Sequence, residues 1–327
     1  MSLDADYIVD RRRMRRKLTF WRIFAIVLIV GAVAAFALAT PRALSDLSGG
    51  TAGAIARVRI SGLIRTDLQR VEALERLGRS RAKAVIVHID SPGGTTAGAE
   101  QLHDALVQLK EKKPLVVVVD GLAASGGYIA ALASDHIVAQ SASLIGSIGV
   151  LVQYPNFYEL LKTVGVNVEN IKSSPLKAAP SGYEPTSPEA RAALAAVVMD
   201  SYDWFKNLVR DRRKLGDAGL EKVSDGRIFT GRQALDLRLV DELGNEKTAI
   251  AYLAREKQIP VTTPVRDYNL RSRLTDFPFL HVAAVAILDG AGLSGLARQL
   301  EASGAWTAAE RLNLDGLLAL WHPVTGD

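Results

Sequence analysis

Residues 84–95 of this 327-residue chain read AVIVHIDSPGGT, an apolar run that ends in a proline–glycine turn. The run at 84–89 is almost continuously apolar, which is typical of a strand that helices cover on both faces. A second apolar run follows at 115–119, and a helical pattern at 96–109 lies between the two. Because strands and helices alternate, the pattern predicts an α/β fold of parallel βαβ units with right-handed crossovers.

The same alternation extends outward from this stretch in both directions. It predicts further strands at 56–60, at 136–139 and near Val261, and helices at 67–77, 125–133, 189–215 and 248–257. Residues 56–265 are therefore the predicted main domain, with a linker at 41–55 before it. Residues 266–327 are predicted to form an extension that contacts another subunit or a membrane.

The first 40 residues have the composition of a membrane anchor. Residues 1–22 carry seven basic and three acidic side chains, and the apolar run IFAIVLIVGAVAAFALA follows at 23–39. With its flanks, this run approaches the roughly 20 residues that span a bilayer. The positive flank predicts a single span at 23–40, with 1–22 in the cytoplasm and the rest across the membrane. The alternative is a cleaved signal peptide, because Ala37-Leu38-Ala39 resembles a cleavage site; the long basic segment favours the uncleaved anchor.

Charge and cysteine content exclude several classes of function. The net charge is +5, and most of it lies in residues 1–22, so the remaining chain is nearly neutral. The basic cluster could bind RNA in principle, but the apolar run after it favours a topology signal. The chain has no cysteine, which excludes a disulfide framework, a thiolate zinc site and a cysteine nucleophile.

Four polar or glycine-rich segments follow predicted strands, where sites gather in α/β sheets. Each has a functional and a structural interpretation. Gly93 and Gly94 in segment 90–95 could supply backbone donors to an oxyanion, or form an ordinary turn. Ser125 in segment 121–128 could be a nucleophile or a helix N-cap. Ser147 in segment 144–150 could orient a catalytic amine or occupy a turn. Lys177 in segment 172–180 could be a base or an exposed loop lysine.

The segments together resemble the signal peptide peptidase A family, peptidase family S49, in its short single-copy form. The matching motifs are IDSPGG at 89–94, ASGGY at 124–128, GSIGV at 146–150 and a lysine 52 residues after the serine. The stretches FTGRQA at 229–234 and LVDELG at 239–244 are similar as well. The resemblance covers roughly residues 56–262.

The resemblance implies a Clp-protease/crotonase fold, a spiral of βαβ units, and a serine endopeptidase that degrades remnant signal peptides at the bacterial inner membrane. It implies Ser125 as nucleophile, Lys177 as general base and Ser147 as the residue that orients the base. It also implies an oxyanion hole formed by Gly93, Gly94 and Gly126. We expect a homo-oligomer, with an octamer as the size the family implies, and no cofactor, metal or nucleic acid.

The chain departs from the family pattern at two places. Pro175-Leu176 stands where a glycine and an aromatic residue usually precede the lysine, so the local loop shape is predicted to differ. Arg238 stands where the family has a helix-stop glycine, so we predict either an unfavourable backbone conformation there or a different turn.

A lysine in water, with an ordinary pKa of about 10.4, is a poor base at neutral pH, so the proposed base must be desolvated when it acts. A Ser–His–Asp triad is the alternative, but His136 and His88 both lie within predicted strands. Two other functions remain open at this point. An acyl-CoA enzyme would share the fold and use an oxyanion hole for an enolate, and a membrane scaffold would keep the fold without catalysis.

Overall fold

The computed structural model describes Trp21, residues 51–270 and the strand Leu318–Leu320. The predicted segments 1–22, apart from Trp21, and 23–40 lie outside these residues, as do most of the linker and most of the extension. Among the residues that are described, no helix combines the length and the apolar character needed to cross a bilayer.

The described residues alternate between strands and helices, which confirms the predicted α/β class. The strands are β1 (Ile55–Ser61), β2 (Ala84–Ser91), β3 (Gly93–Thr95), β4 (Leu115–Ala124), β5 (His136–Ala139), β6 (Leu144–Gly146), β7 (Ile228–Thr230), β8 (Glu242–Leu243), β9 (Val265–Asp267) and β10 (Leu318–Leu320). The helices are α1 (Leu68–Arg79), α2 (Thr96–Lys110), α3 (Gly126–Ala131), α4 (Tyr158–Thr163), α5 (Pro188–Arg213), α6 (Asp217–Val223), α7 (Gly231–Asp236) and α8 (Glu246–Lys257).

Eight strands form one sheet in the order β7-β6-β4-β2-β1-β9; β5 branches from β4, and β8 pairs with β5. Every pairing in it is parallel except the antiparallel pair of β6 and β7. The strand β4 pairs with β5 along Val116–Val119 and with β6 along Leu122–Ala124. The sheet therefore divides near Gly121, and the end of β4 is directed toward β6.

Helices cover both faces of the sheet, as the apolar runs predicted. Val85, Val87 and Ile89 of β2 are buried with α1, α2 and α3 on one face. Ala84 and Ile86 are buried against α8 on the other. Because successive side chains of a strand point to opposite faces, a strand covered on both sides is apolar at nearly every position.

Side-chain caps define the helix starts close to the predicted positions. Asp67 accepts from the Arg70 N–H at the start of α1, and Thr95 accepts from the Gly98 N–H at the start of α2. Ser187 caps α5 in the same way, with proline at the first turn.

Two smaller predictions have clear outcomes. The strand predicted near Val261 is wrong in position, because residues 260–263 form a turn closed by the Thr263 N–H on the Pro260 carbonyl. Strand β9 starts only after Pro264. Of the two alternatives for Arg238, the structure shows the unfavourable backbone conformation, since its φ is 60°. That left-handed conformation is where a glycine would be least strained.

Candidate active site

Ser125 lies in the sharp turn between β4 and α3. Its backbone has φ 53° and ψ −116°, a combination that non-glycine residues rarely adopt. Its N–H donates to the Gly146 carbonyl at 2.7 Å, and its own carbonyl accepts from Tyr128 at 2.9 Å and Ile129 at 3.0 Å. These hydrogen bonds hold the strained turn in place. A serine on a strained strand-to-helix turn is the arrangement that presents a nucleophile in many hydrolases.

The Ser125 hydroxyl is not used for helix capping. The residue is buried, and its side chain makes no capping hydrogen bond to α3. Within the described part of the chain, its hydroxyl contacts only the Gly149 carbonyl, at a long 3.5 Å. The structure therefore argues against the side-chain N-cap interpretation and leaves the hydroxyl without a strong structural partner.

Ser147 belongs to the turn that holds the Ser125 backbone. It has φ 50° and follows Gly146, whose φ is 107°. The Ser147 N–H donates to the Arg227 carbonyl at 2.8 Å, so a second loop, residues 224–227, fixes this turn. The segments 121–128 and 144–150 thus meet as the sequence predicts.

The Gly93–Gly94 loop lies on the other side of the Ser125 turn. The Gly93 N–H donates to the Ser91 hydroxyl at 3.1 Å, so this donor is already occupied. Ile64 brackets the loop by donating to the Gly93 carbonyl at 2.8 Å and accepting from the Thr95 N–H at 2.9 Å. Because backbone groups of successive residues point to opposite sides of a strand, the Gly94 N–H points away from Ile64.

The nucleophile turn and the glycine loop are in direct contact. A Cβ atom at Gly127, the second residue of α3, would lie 2.6 Å from the Ser91 carbonyl oxygen. No other residue fits there, because every other side chain begins with that atom. The Gly126 N–H has no hydrogen-bond acceptor within the described residues. Gly126 therefore keeps a donor that an oxyanion could use, whereas the Gly93 donor is engaged and the Gly94 N–H lies on the edge of β3 that pairs with β10.

Within the described residues, no hydrogen bond joins Lys177 to Ser125. It lies exposed in a turn where its N–H donates to the Ser174 carbonyl at 3.1 Å. Across residues 51–270, no hydrogen bond or ion pair joins its amine to another side chain. Lys172, five residues earlier, is instead paired with Glu184. The structure brings together the segments of Ser125, Ser147 and Gly94 but leaves Lys177 in solvent.

No histidine in the described segments contacts Ser125. His88 lies between the carboxylates of Asp120 and Glu246, at 2.9 Å from each. His136 stacks on Tyr252 with ring centroids 3.9 Å apart. Both therefore have structural partners, which argues against either histidine as the base.

Two groups near the site have shifted pKa values. Tyr128 is completely buried behind Ser125 and donates to the Leu239 carbonyl at 2.8 Å. Burial raises the pKa of its phenol, so it remains a neutral donor. On the surface beside Ser147, the Arg227 guanidinium donates to Asp225 at 2.6 Å and lowers the pKa of that carboxyl.

Strand β3 also pairs with β10. Leu318, Ala319 and Leu320 pair antiparallel with Thr95, Gly94 and Gly93. The edge of β3 that carries the Gly94 N–H therefore already holds an extended backbone.

Comparison with a solved structure gives a distant similarity. The chain of a mutant ClpP1 from Listeria monocytogenes superposes with a TM-score of 0.39 and 17% sequence identity, over 58% of this chain and 91% of that one.

Comparison of sequences gives the family. The model of peptidase family S49 matches residues 107–260, a range that includes Ser125, Ser147 and Lys177. A provisionally named protease of Synechocystis sp. is 39% identical over 61% of this chain and 73% of its own length. A provisionally named signal peptide peptidase SppA of Enterococcus faecium is 31% identical over 60% of this chain and 58% of its own length. Other matches are also named as proteases, one of them a serine protease. The chain belongs to peptidase family S49 and is a serine protease.

Proposed function

We propose that this protein is a membrane-anchored endopeptidase in which Ser125 is the nucleophile and Lys177 its general base. The observation that carries the proposal is the Ser125 turn. A strained serine with no strong hydroxyl partner lies between the Ser147 turn and the Gly94 loop. The acyl-CoA and scaffold alternatives have no comparable support, because the relatives are proteases.

The proposed reaction uses these groups in sequence. The neutral Lys177 amine, oriented by the Ser147 hydroxyl, removes the Ser125 proton as Oγ attacks the scissile carbonyl. The N–H groups of Gly126 and, once substrate has displaced β10, of Gly94 stabilise the oxyanion of the tetrahedral intermediate. The protonated lysine then gives its proton to the leaving amine, and water releases the acyl group from Ser125.

Lys177 can act in this way only after water is removed from it. The segment that carries Lys177 exposes many large apolar side chains to solvent. They are Leu151, Phe157, Leu160, Val164, Val166, Val168, Ile171, Leu176, Tyr183, Val197 and Met199. An exposed apolar surface of this kind marks an interaction site. We therefore infer that copies of this chain assemble through residues 151–199 and that the assembly desolvates the lysine.

Helix α5 supports the same inference. It contains 26 residues, but Ala190, Phe205 and Val209 are its only buried ones. From residue 191 to residue 201 none of its side chains is buried within the described part of the chain. A helix with such an open face gains stability when a second copy covers it.

The proposed substrates are extended apolar peptides such as signal peptide remnants. The pairing of β10 with β3 supports this, since it indicates that the edge beside Gly94 accepts an extended backbone. A relative in Enterococcus faecium is named for signal peptides. A span at 23–40 would keep the active site close to such peptides on the outer side of the bacterial inner membrane.

The dyad is tested with purified full-length protein in detergent. Ser125→Ala and Lys177→Ala are each expected to abolish peptide hydrolysis while assembly size is unchanged. Lys172→Ala is the matched control, because it removes a lysine from the same segment; it is expected to retain activity. Substantial turnover by either dyad variant, as pure protein, would remove that residue from the mechanism.

The nucleophile and the anchor have separate tests. A fluorophosphonate probe is expected to label wild type at Ser125 and to leave Ser125→Ala unlabelled. Membranes washed with alkaline carbonate are expected to retain the full chain and to release a chain that begins at residue 41. Release of the full chain by the wash would contradict the membrane span.

A further inference from the structure

Ser91 is a buried serine at the end of β2 whose hydroxyl makes two hydrogen bonds. It is completely inaccessible to solvent. The hydroxyl donates to the Gly62 carbonyl at 2.7 Å and accepts from the Gly93 N–H at 3.1 Å. One side chain thus joins the turn after β1 to the glycine loop after β2.

The main chain of Ser91 lies against the nucleophile turn. It pairs with Ala123 of β4, two residues before Ser125, just after a register shift in the pairing of β2 and β4. Its carbonyl oxygen approaches Gly127 so closely that no Cβ fits there. Irregular pairing of this kind commonly redirects a side chain next to an active site.

The two segments that the hydroxyl joins are the ones that flank Gly94. Gly93 has φ 100° and Gly62 has φ 70°, conformations that only the flexibility of glycine makes accessible without strain. The Gly62 turn leads to Ile64, which pairs with Gly94 along one edge. Two glycine-rich segments do not hold one conformation by themselves, so a buried hydrogen-bonding group between them limits where the Gly94 N–H points.

We propose that Ser91 is a positioning residue for the peptidase reaction, and that its hydroxyl aims the Gly94 N–H at the oxyanion. The inference rests on the proposed function, in which Ser125 attacks and Gly94 donates. Ser91 itself does not touch the substrate. It acts by holding Gly93 and Gly62 so that the donor is in place before the oxyanion forms.

The test compares Ser91→Ala with Ser134→Ala in the full-length protein. Ser134 is a matched control because it is also buried and its hydroxyl also bonds a backbone carbonyl, that of Ala131, at the far end of α3. Loss of a single oxyanion donor costs about 100- to 1000-fold in kcat. For Ser91→Ala we expect a smaller loss, about 10- to 100-fold, because the donor is misdirected rather than removed. KM is expected to stay within a factor of two to three, and Ser134→Ala to keep its kcat.

Further measurements separate positioning from folding. The rate of fluorophosphonate labelling at Ser125 is expected to fall in parallel with kcat, because the phosphoryl oxygen uses the same donors. If Ser91→Ala does not assemble, Ser91→Cys fills the same space with a weak hydrogen-bonding group, and the same loss is expected.

The outcomes also distinguish this inference from the proposed function. If wild type is not labelled at Ser125, the proposed function fails. If wild type and Ser134→Ala are active and labelled while a folded Ser91 variant keeps its kcat, the positioning role is overturned and the dyad stands. An equal loss in Ser134→Ala also overturns it, because the effect would then be common to buried serines.

Discussion

Replacing Gly94 with alanine would place a methyl group inside the backbone of Ile64. The added Cβ would lie 1.8 Å from the Ile64 carbonyl oxygen and 2.6 Å from its carbonyl carbon. Contacts under 3.0 Å essentially never occur for real Cβ atoms, so the two backbones must separate. Ile64 cannot simply move away, because it is fully buried and hydrogen-bonded to both Gly93 and Thr95.

The size of the effect follows from that geometry. A displacement of about 1 Å in a catalytic group can cost about 100-fold in rate. We therefore expect Gly94→Ala to lower kcat/KM by at least about 100-fold. Overpacking of this kind also costs about 1–3 kcal/mol of stability. In a domain of this size, each kcal/mol lowers Tm by about 2–4 °C.

The assay is hydrolysis of a fluorogenic apolar peptide, together with thermal unfolding of the same preparation. Gly219→Ala is the control, because a Cβ on this residue of α6 would meet Leu215 at an ordinary 3.7 Å. Its helical position should even gain about 0.5–1 kcal/mol from alanine. If folded Gly94→Ala keeps half of the wild-type turnover, the Gly94 N–H is not part of the oxyanion hole.

Three further predictions concern stability and access to β3. Glu246→Gln removes a charged partner of Arg57 and should lower the free energy of unfolding by about 1.5–3 kcal/mol. The hydrogen bond from Arg57 lowers the pKa of Glu246, so in urea titrations this difference should be largest above pH 4.5 and shrink as the pH falls further. Tyr128→Phe leaves the Leu239 carbonyl without its donor and should cost about 1–3 kcal/mol in the same titrations. Ending the chain at residue 317 removes β10, so hydrolysis of short peptides should become faster; an unchanged rate would show that β10 does not compete with substrate.

Much of the fold could be predicted because its signals are local. The apolar runs at 84–89 and 115–119 became the central strands β2 and β4. Helix starts were recognisable where a capping residue and a hydrophobic pattern coincide, as at Asp67. The Ser125 turn also had a local signal, since small residues follow directly after a buried strand.

The parts that could not be predicted depend on contacts distant in sequence. The pairing of β6 with β7 joins three-residue strands more than 80 positions apart, and strands so short have no readable periodicity. The link from Ser91 to Gly62 crosses 29 positions. The IDSPGG motif marked Ser91 as part of a turn, but only the structure gives its hydroxyl two partners.

The proposed dyad consists of a rigid part and an exposed part. The serine is buried, its strained turn is held by three backbone hydrogen bonds, and the Gly94 donor is bracketed by Ile64. Lys177 lies in solvent on a segment rich in exposed apolar side chains. Because a solvated ammonium cannot accept a proton, the proposed mechanism predicts that the serine stays unreactive until that segment is covered. Under this proposal, the apolar contacts that exclude water from the lysine also activate the base, and we expect a lone chain not to cleave nearby proteins.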